Sequence, residues 1–172
     1  MVTHTFNAMG PLHHRRPGLA GAALTDERLT PAVIGDGVHT HPAVLKLVLT
    51  IGPAVLVSDS VATGRPSDRS LPEGSPSGGP RLPDGTLAGG ARLPDGTLAG
   101  SVITLADAVR IAVHEAGVPL GVALTAATST PADLIGYDGG RLRPGGRADL
   151  VAFDPGLVLS RVWVGGQVLP PG

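Results

Sequence analysis

The sequence predicts an α/β fold built on short, buried, parallel strands. Three short segments carry this prediction, at residues 2–4, 32–35 and 53–57, and each is followed by polar residues. Continuous rather than alternating apolarity is typical of strands that are buried on both faces, as in a parallel sheet or a barrel. From residue 137 the sequence changes to Gly-rich turns and short apolar runs, which predicts a small antiparallel β element.

Helices are predicted between and after these strands. Pro42 occupies the tolerated first-turn position of a helix that continues through Leu45 and Leu49. Thr104 is a good N-cap for a helix that ends at Gly117, and Pro119 begins the next one. The predicted strands of the carboxy-terminal β element cover residues 149–153, 157–164 and 167–169.

Composition excludes several classes of function. The 172 residues suffice for one domain with a real core, and the formal net charge of −1 gives no basic field for nucleic acid. Aromatic residues make up only 2%, which argues against base stacking. The absence of Cys excludes disulfides, thiolate zinc sites and a thiol nucleophile. Without a long apolar run or a signal peptide, we expect a cytoplasmic protein that binds no membrane.

Residues 64–100 form a distinct segment that is rich in Ser, Pro and Gly. Residues 81–89 are repeated without change as residues 92–100. Two copies are too few for a solenoid, so the segment is predicted to be a flexible loop with a local duplication. The copy that leads into Ser101 is expected to hold the structural position.

Chemically useful side chains follow the first predicted strand. His4 closes that strand, where it could coordinate a metal or simply form a structural hydrogen bond. Asn7 could hydrogen-bond a substrate, and Arg15 and Arg16 could hold an anion such as phosphate through planar, bidentate contacts. Because Cys is absent, any metal site must use His, Asp or Glu, which suits a catalytic ion.

Several motifs occur in an order that resembles one enzyme family. They occupy residues 3–9, 15–21, 36–39, 57–59, 98–101 and 145–151. Together they resemble the C-terminal half of the N-acetylglucosamine-6-phosphate deacetylases of the amidohydrolase superfamily. The resemblance implies that residues 1–136 are about strands six to eight of a (β/α)₈ TIM-type barrel with their helices. It also implies that residues 137–172 are a segment of a β-sandwich.

The resemblance also implies a reaction and a set of residues. The family hydrolyses N-acetylglucosamine 6-phosphate, a small sugar phosphate, to glucosamine 6-phosphate and acetate. His4 would bind a divalent metal, usually Zn²⁺, and Asp59 would be the general base that activates water and then protonates the leaving amine. The implied substrate contacts are Asn7, Ala8, Arg15, His39, Leu98, Ala99 and Gly100.

Structural alternatives accompany these assignments. Asp59 could instead be the N-cap of the next helix. His39 and His41 form an H-x-H pair that could suggest a second metal, although the resemblance covers only His39. Arg16 stands where the family usually has Glu, so the charge of this loop is altered.

The family's other metal ligands lie upstream of the matching segment, so the chain is expected to be incomplete as an enzyme. One His and one Asp cannot form a three-ligand zinc site. Two hypotheses follow: a deacetylase that needs a complementing N-terminal half or a homodimer, and a catalytically incompetent half-barrel or assembly module.

Overall fold

The computed structural model describes residues 1–61 and 98–169. Five helices are formed in these ranges: α1 Gly18–Thr25, α2 Pro42–Ile51, α3 Leu105–His114, α4 Leu120–Ala127 and α5 Ser129–Leu134. Five strands accompany them: β1 Ala32–Ile34, β2 Val55–Val57, β3 Leu150–Phe153, β4 Leu159–Val164 and β5 Gln167–Val168. The loop predicted at residues 64–100 lies mostly outside the described residues, and so does the first copy of the repeat.

The predicted parallel strands are confirmed for β1 and β2. They pair in parallel, with Val33 opposite Leu56, and α2 forms the crossover between them. All three residues of β1 are buried, as continuous apolarity predicted. Single parallel bridges flank the β1–β2 pair. Val2 pairs with Pro31, just before β1, and Ser60, just after β2, pairs with Ser101.

The strand predicted at residues 2–4 is only a single bridge. Val2 O accepts a hydrogen bond from Ala32 N at 2.8 Å, but the chain turns at Thr3. His4 has a φ of +32°, which no extended strand can accommodate. The pairing partner is β1, which follows in the sequence, and Thr5 N bonds Ala32 O at 2.7 Å to close the turn.

Helix α1 was not predicted, because residues 15–21 were interpreted as loop. The helix begins at Gly18, after Pro17, and buries only the small residues Ala20, Gly21 and Ala23. A Cβ on Gly21 would lie 2.3 Å from Pro17 Cβ, so this turn packs at a distance that only glycine permits. Such packing leaves no apolar stripe in the sequence.

The helix starts predicted at Pro42, Thr104 and Pro119 are confirmed. Thr104 forms a capping box with Asp107: Thr104 Oγ1 accepts from Asp107 N at 3.2 Å, and Asp107 Oδ2 accepts from Thr104 N at 2.9 Å. The helix ends at His114, three residues before Gly117. The core lies between these helices and the parallel pair, and its fully buried members include Leu45 of α2, Leu56 of β2 and Ile111 of α3.

The antiparallel element predicted at the carboxy-terminal end is confirmed. It is a three-stranded sheet in the order β3–β4–β5, with an irregular register between Ala152 and Phe153. Val151, Val164 and Val168 stay more than two-fifths exposed on this sheet, at 53%, 44% and 54%. None of the helices in the described part of the chain is long and apolar enough to cross a membrane.

Candidate active site

The loop that follows the Val2 bridge holds an oriented histidine. His4 Nδ1 lies 3.1 Å from the backbone oxygen of Asn7. A carbonyl oxygen only accepts hydrogen bonds, so Nδ1 carries the proton and Nε2 is the ring's remaining acceptor. This is the arrangement in which second-shell contacts hold a metal-binding histidine. Phe6 and Ala8, in the same loop, have φ of +78° and +54°, so three non-glycine residues here are in the left-handed region.

The side chain of Asn7 has an unsatisfied hydrogen-bond donor within the described part of the chain. Its Nδ2 atom is buried and has no hydrogen-bond partner among the described residues. Leaving such a donor unsatisfied costs about 1–3 kcal/mol, so it is rarely retained without a purpose. The backbone of Asn7 is fixed, since its N–H donates to His4 O at 2.8 Å.

Arg15 lies in a tight turn just before α1. Arg16 N donates to His13 O at 3.0 Å, and Arg15 N donates to His13 Nδ1 at 3.2 Å. The rings of His13 and His14 lie 4.3 Å apart. Arg15 and Arg16 are both exposed, and neither forms an ion pair within residues 1–61 and 98–169. The guanidinium groups are thus presented to solvent, as binding of an external anion requires.

Strand β1 leads into a buried Asp–His pair. Asp36 is 1% exposed, and its Oδ2 lies 2.6 Å from His39 Nδ1. The strand ends close to α3 because Gly35 has no side chain: a Cβ there would lie 2.8 Å from the Cβ of Ala108. Asp36 was not among the predicted site residues. The signal that could have found it is an Asp placed directly after a buried strand and three residues before His39.

His41 has a structural role. Its Nδ1 accepts a hydrogen bond from Ala43 N at 3.2 Å, which makes it the N-cap of α2. His41, which the sequence left unassigned, thus caps a helix, and its Nδ1 is already engaged.

Asp59 follows β2 and is held by residues 100–101. Ser101 N donates to Asp59 O at 2.8 Å, and Val61 N donates to Ser101 O at 3.0 Å. The Ser101 hydroxyl donates to Ser58 O, so the buried Ser101 joins both sides of Asp59. Asp59 itself is exposed and has a φ of +51°. Helix α3 is capped by Thr104 rather than by Asp59.

The predicted contacts Leu98, Ala99 and Gly100 therefore lie next to Asp59 in the structure. Gly100 is buried, with a φ of +108°, and a Cβ on it would lie 3.1 Å from Asp59 O. These are the last three residues of the second repeat copy; its earlier residues lie outside the described ranges.

The described residues do not by themselves form a metal site. Within residues 1–61 and 98–169, no three His, Asp or Glu side chains come together to hold an ion. His4 Nε2 suits one ligand position, but a catalytic zinc needs three protein ligands.

A cavity of about 790 Å³ lies away from these residues. It opens at the amino-terminal ends of β1 and β2, beside Thr30 and Pro53, and continues to the Asp133–Arg141 ion pair. None of the predicted site residues lines it. Functional residues of parallel sheets usually lie at the carboxyl ends of the strands, so the candidate site is the set of loops after the Val2 bridge, β1 and β2.

Comparison with known proteins identifies the family. Residues 4–169 match the model of the amidohydrolase family. The chain is 38% identical to the N-acetylgalactosamine-6-phosphate deacetylase of Escherichia coli O157:H7 over 97% of its own length and 44% of that protein. It is 39% identical to a putative N-acetylgalactosamine-6-phosphate deacetylase of Escherichia coli K12, over 96% of its length and 98% of that protein.

A solved structure gives the same result. The N-acetyl-D-glucosamine-6-phosphate deacetylase of Mycobacterium smegmatis, in complex with N-acetyl-D-glucosamine-6-phosphate, superposes with a TM-score of 0.78 at 35% identity. The superposition covers 96% of this chain and 44% of that one, so the α/β fold resembles part of the deacetylase structure. The predicted resemblance is confirmed. The chain belongs to the amidohydrolase family.

Proposed function

We propose that this chain supplies part of the active site of an N-acetylhexosamine 6-phosphate deacetylase. The reaction is hydrolysis of N-acetylglucosamine 6-phosphate to glucosamine 6-phosphate and acetate. The loop from His4 to Ala8 carries the proposal, because it holds an oriented imidazole beside a buried amide donor that has no partner within residues 1–61 and 98–169. The names of the similar proteins supply the substrate class.

Asp59 is the proposed general base. Its exposure and its position after β2 leave the carboxylate accessible to water and substrate. The carboxylate takes a proton from water as the water oxygen bonds to the amide carbon. It returns that proton to the nitrogen as the C–N bond breaks, which releases the amine and acetate. The bonds from Ser101 hold this residue in its left-handed conformation.

The remaining contacts orient the substrate. Asn7 Nδ2 is a donor for an oxygen of the bound sugar phosphate, and the backbone of Ala8 adds a second contact. The exposed guanidinium of Arg15 fits the phosphate, because its planar fork matches that anion. His39 approaches the same ligand from the loop after β1, and the backbone of residues 98–100 closes over the sugar.

His4 is the proposed ligand of a divalent metal, usually zinc. When bound, such an ion lowers the pKa of its water to about 7 and polarises the amide carbonyl. Because residues 1–61 and 98–169 bring no three such side chains together, the proposal takes the other ligands from an amino-terminal half or from a second chain. Val151 and Val164 support such an assembly, because the register puts both on one face of the β3–β4–β5 sheet, where they are exposed, and exposed apolar patches mark interaction surfaces.

Two alternatives have an observation in their favour. The names of the Escherichia coli relatives favour N-acetylgalactosamine 6-phosphate as the substrate. The lack of a three-ligand group among the described residues favours a half-barrel module that assembles without catalysis.

One assay separates these possibilities. The zinc-loaded chain, alone and with the amino-terminal half of a related deacetylase, is incubated with each of the two N-acetylhexosamine 6-phosphates while acetate release is measured. We expect turnover that Asp59→Asn lowers by about 10²–10⁴-fold. Asp154→Asn, an exposed turn variant, is the control and should leave the rate unchanged. Absence of zinc binding and of turnover in both preparations would favour the non-catalytic module.

A further inference from the structure

We propose that Asp36 is a positioning residue for His39. Its carboxylate fixes a proton on His39 Nδ1 and aims Nε2 at the phosphate of the substrate. The substrate part of this inference rests on the proposed function, whereas the ring orientation rests on the geometry alone. Asp36 touches no substrate in this scheme and acts only through the imidazole.

Both oxygens of the Asp36 carboxylate form hydrogen bonds. Oδ1 accepts from Val38 N at 2.9 Å and from His39 N at 2.8 Å, while Oδ2 faces His39 Nδ1 at 2.6 Å. The side chains of Asp36 and His39 are 1% and 6% exposed, so little water competes for these bonds. A buried carboxylate is tolerated only when its oxygens are hydrogen-bonded or paired, and the ring of His39 is the side-chain partner of Asp36 among the described residues.

The direction of the Nδ1 bond follows from chemistry. An ionised carboxylate can only accept, so His39 Nδ1 must be the donor. The free nitrogen is then Nε2. When an anion such as phosphate binds there, both ring nitrogens donate, and the imidazolium lies between two negative groups. Charge-assisted bonds of this kind are about twice as strong as neutral ones.

The substitution Asp36→Asn tests this assignment with little disturbance. The amide keeps Oδ1 as the acceptor for the N–H groups of Val38 and His39 and replaces only Oδ2 with an NH₂ group. That group donates towards Nδ1, which must become an acceptor, so the proton moves to Nε2. A flipped amide would set its NH₂ against two backbone donors and is disfavoured. The same exchange at a catalytic triad Asp gives the wrong His tautomer.

The tautomer is read directly by ¹⁵N-detected NMR of the histidine rings in the full chain. His39 is assigned from the signals lost in His39→Gln, and spectra are compared at a pH where the rings are neutral. We expect the Nδ1–H form in the wild type and the Nε2–H form in Asp36→Asn. Asp154→Asn, whose carboxylate also accepts a backbone N–H in a turn, should match the wild type.

Ligand binding completes the test. N-acetylglucosamine 6-phosphate should convert the wild-type His39 ring to the doubly protonated form, and Asp36→Asn should weaken its binding about tenfold or more. A wild-type Nε2–H tautomer would overturn the assignment whether or not the variant folds. Equal affinity in both proteins would overturn it as well. If the wild type shows the Nδ1–H form but binds no sugar phosphate even with the amino-terminal half of a related deacetylase present, the proposed function would be overturned instead.

Discussion

Replacing Gly100 with Ala should destabilise the protein at the contact that holds Asp59. Gly100 is buried and has a φ of +108°, a conformation that L-residues with a side chain rarely adopt. The added Cβ would lie 2.6 Å from Val61 Cγ1 and 3.1 Å from Asp59 O. The side chain of Val61 is branched and stiff, and the second contact is backbone, so neither can yield freely.

The expected loss follows from two effects. Holding a non-glycine residue in such a conformation costs about 1–3 kcal/mol, and overpacking adds about 1–3 kcal/mol. Together the two effects give a loss of about 2–6 kcal/mol, which is large against the roughly 5–15 kcal/mol free energy of unfolding of a typical domain. Gly52 offers a matched control, because its φ of −178° is ordinary extended backbone and no atom lies within 4 Å of a Cβ there.

Urea unfolding followed by far-ultraviolet circular dichroism measures both variants. Gly52→Ala should lie within about 1 kcal/mol of the wild type, since it mainly restricts the unfolded chain. If Gly100→Ala loses no more stability than Gly52→Ala, residues 100–101 do not pack against Asp59 as the structure has them. In that case residues 100–101 would not hold Asp59, the proposed general base, in position.

Three further predictions concern the scaffold. Thr104→Ala should cost about 1 kcal/mol in urea unfolding by removing the cap of α3, and an unchanged midpoint would contradict the capping box. Leu45→Ala should cost about 2–5 kcal/mol, whereas Leu47→Ala, at a 43% exposed position of the same helix, should cost much less. The hydrogen bond from Arg141 lowers the pKa of Asp133 below 3.8, so this pair stabilises the fold above that pH and the effect is lost as the pH falls through the lowered value. The difference in free energy of unfolding between the wild type and Asp133→Asn should therefore be smaller in acid than at neutral pH. A difference that stays the same at both pH values would contradict this.

Local signals explain why much of the fold could be predicted. The continuous apolar runs of β1 and β2 predicted their burial, and the Thr104 cap predicted the start of α3 without tertiary information. Helix α1 has neither signal. It packs through the close approach of Gly21 to Pro17, and a sequence of small residues does not reveal such a contact.

The proposed site residues come mainly from motifs and only partly from physical reasoning. The motifs singled out His4 and Asp59 as candidates, but they did not reveal that both residues adopt positive φ. Asp36 was missed because its role depends on the fold: only the buried turn after β1 brings its carboxylate against both the backbone and the ring of His39. An isolated Asp in a sequence is more often a solvated turn residue.

The distribution of backbone strain links the fold to the proposed chemistry. Four of the five described non-glycine residues with positive φ, namely His4, Phe6, Ala8 and Asp59, lie in the two loops that carry the proposed metal ligand and base. Each such conformation costs about 1–3 kcal/mol of folding free energy and persists only where surrounding contacts hold the backbone in place. Such contacts are present in both loops. Thr5, within the first loop, is fully buried and hydrogen-bonded to β1, and buried Ser101 forms hydrogen bonds with residues on both sides of Asp59. A chain without a function for these loops would gain stability by relaxing them. Independently of the motifs, this strain supports the proposal that the loops after the Val2 bridge and after β2 carry the function.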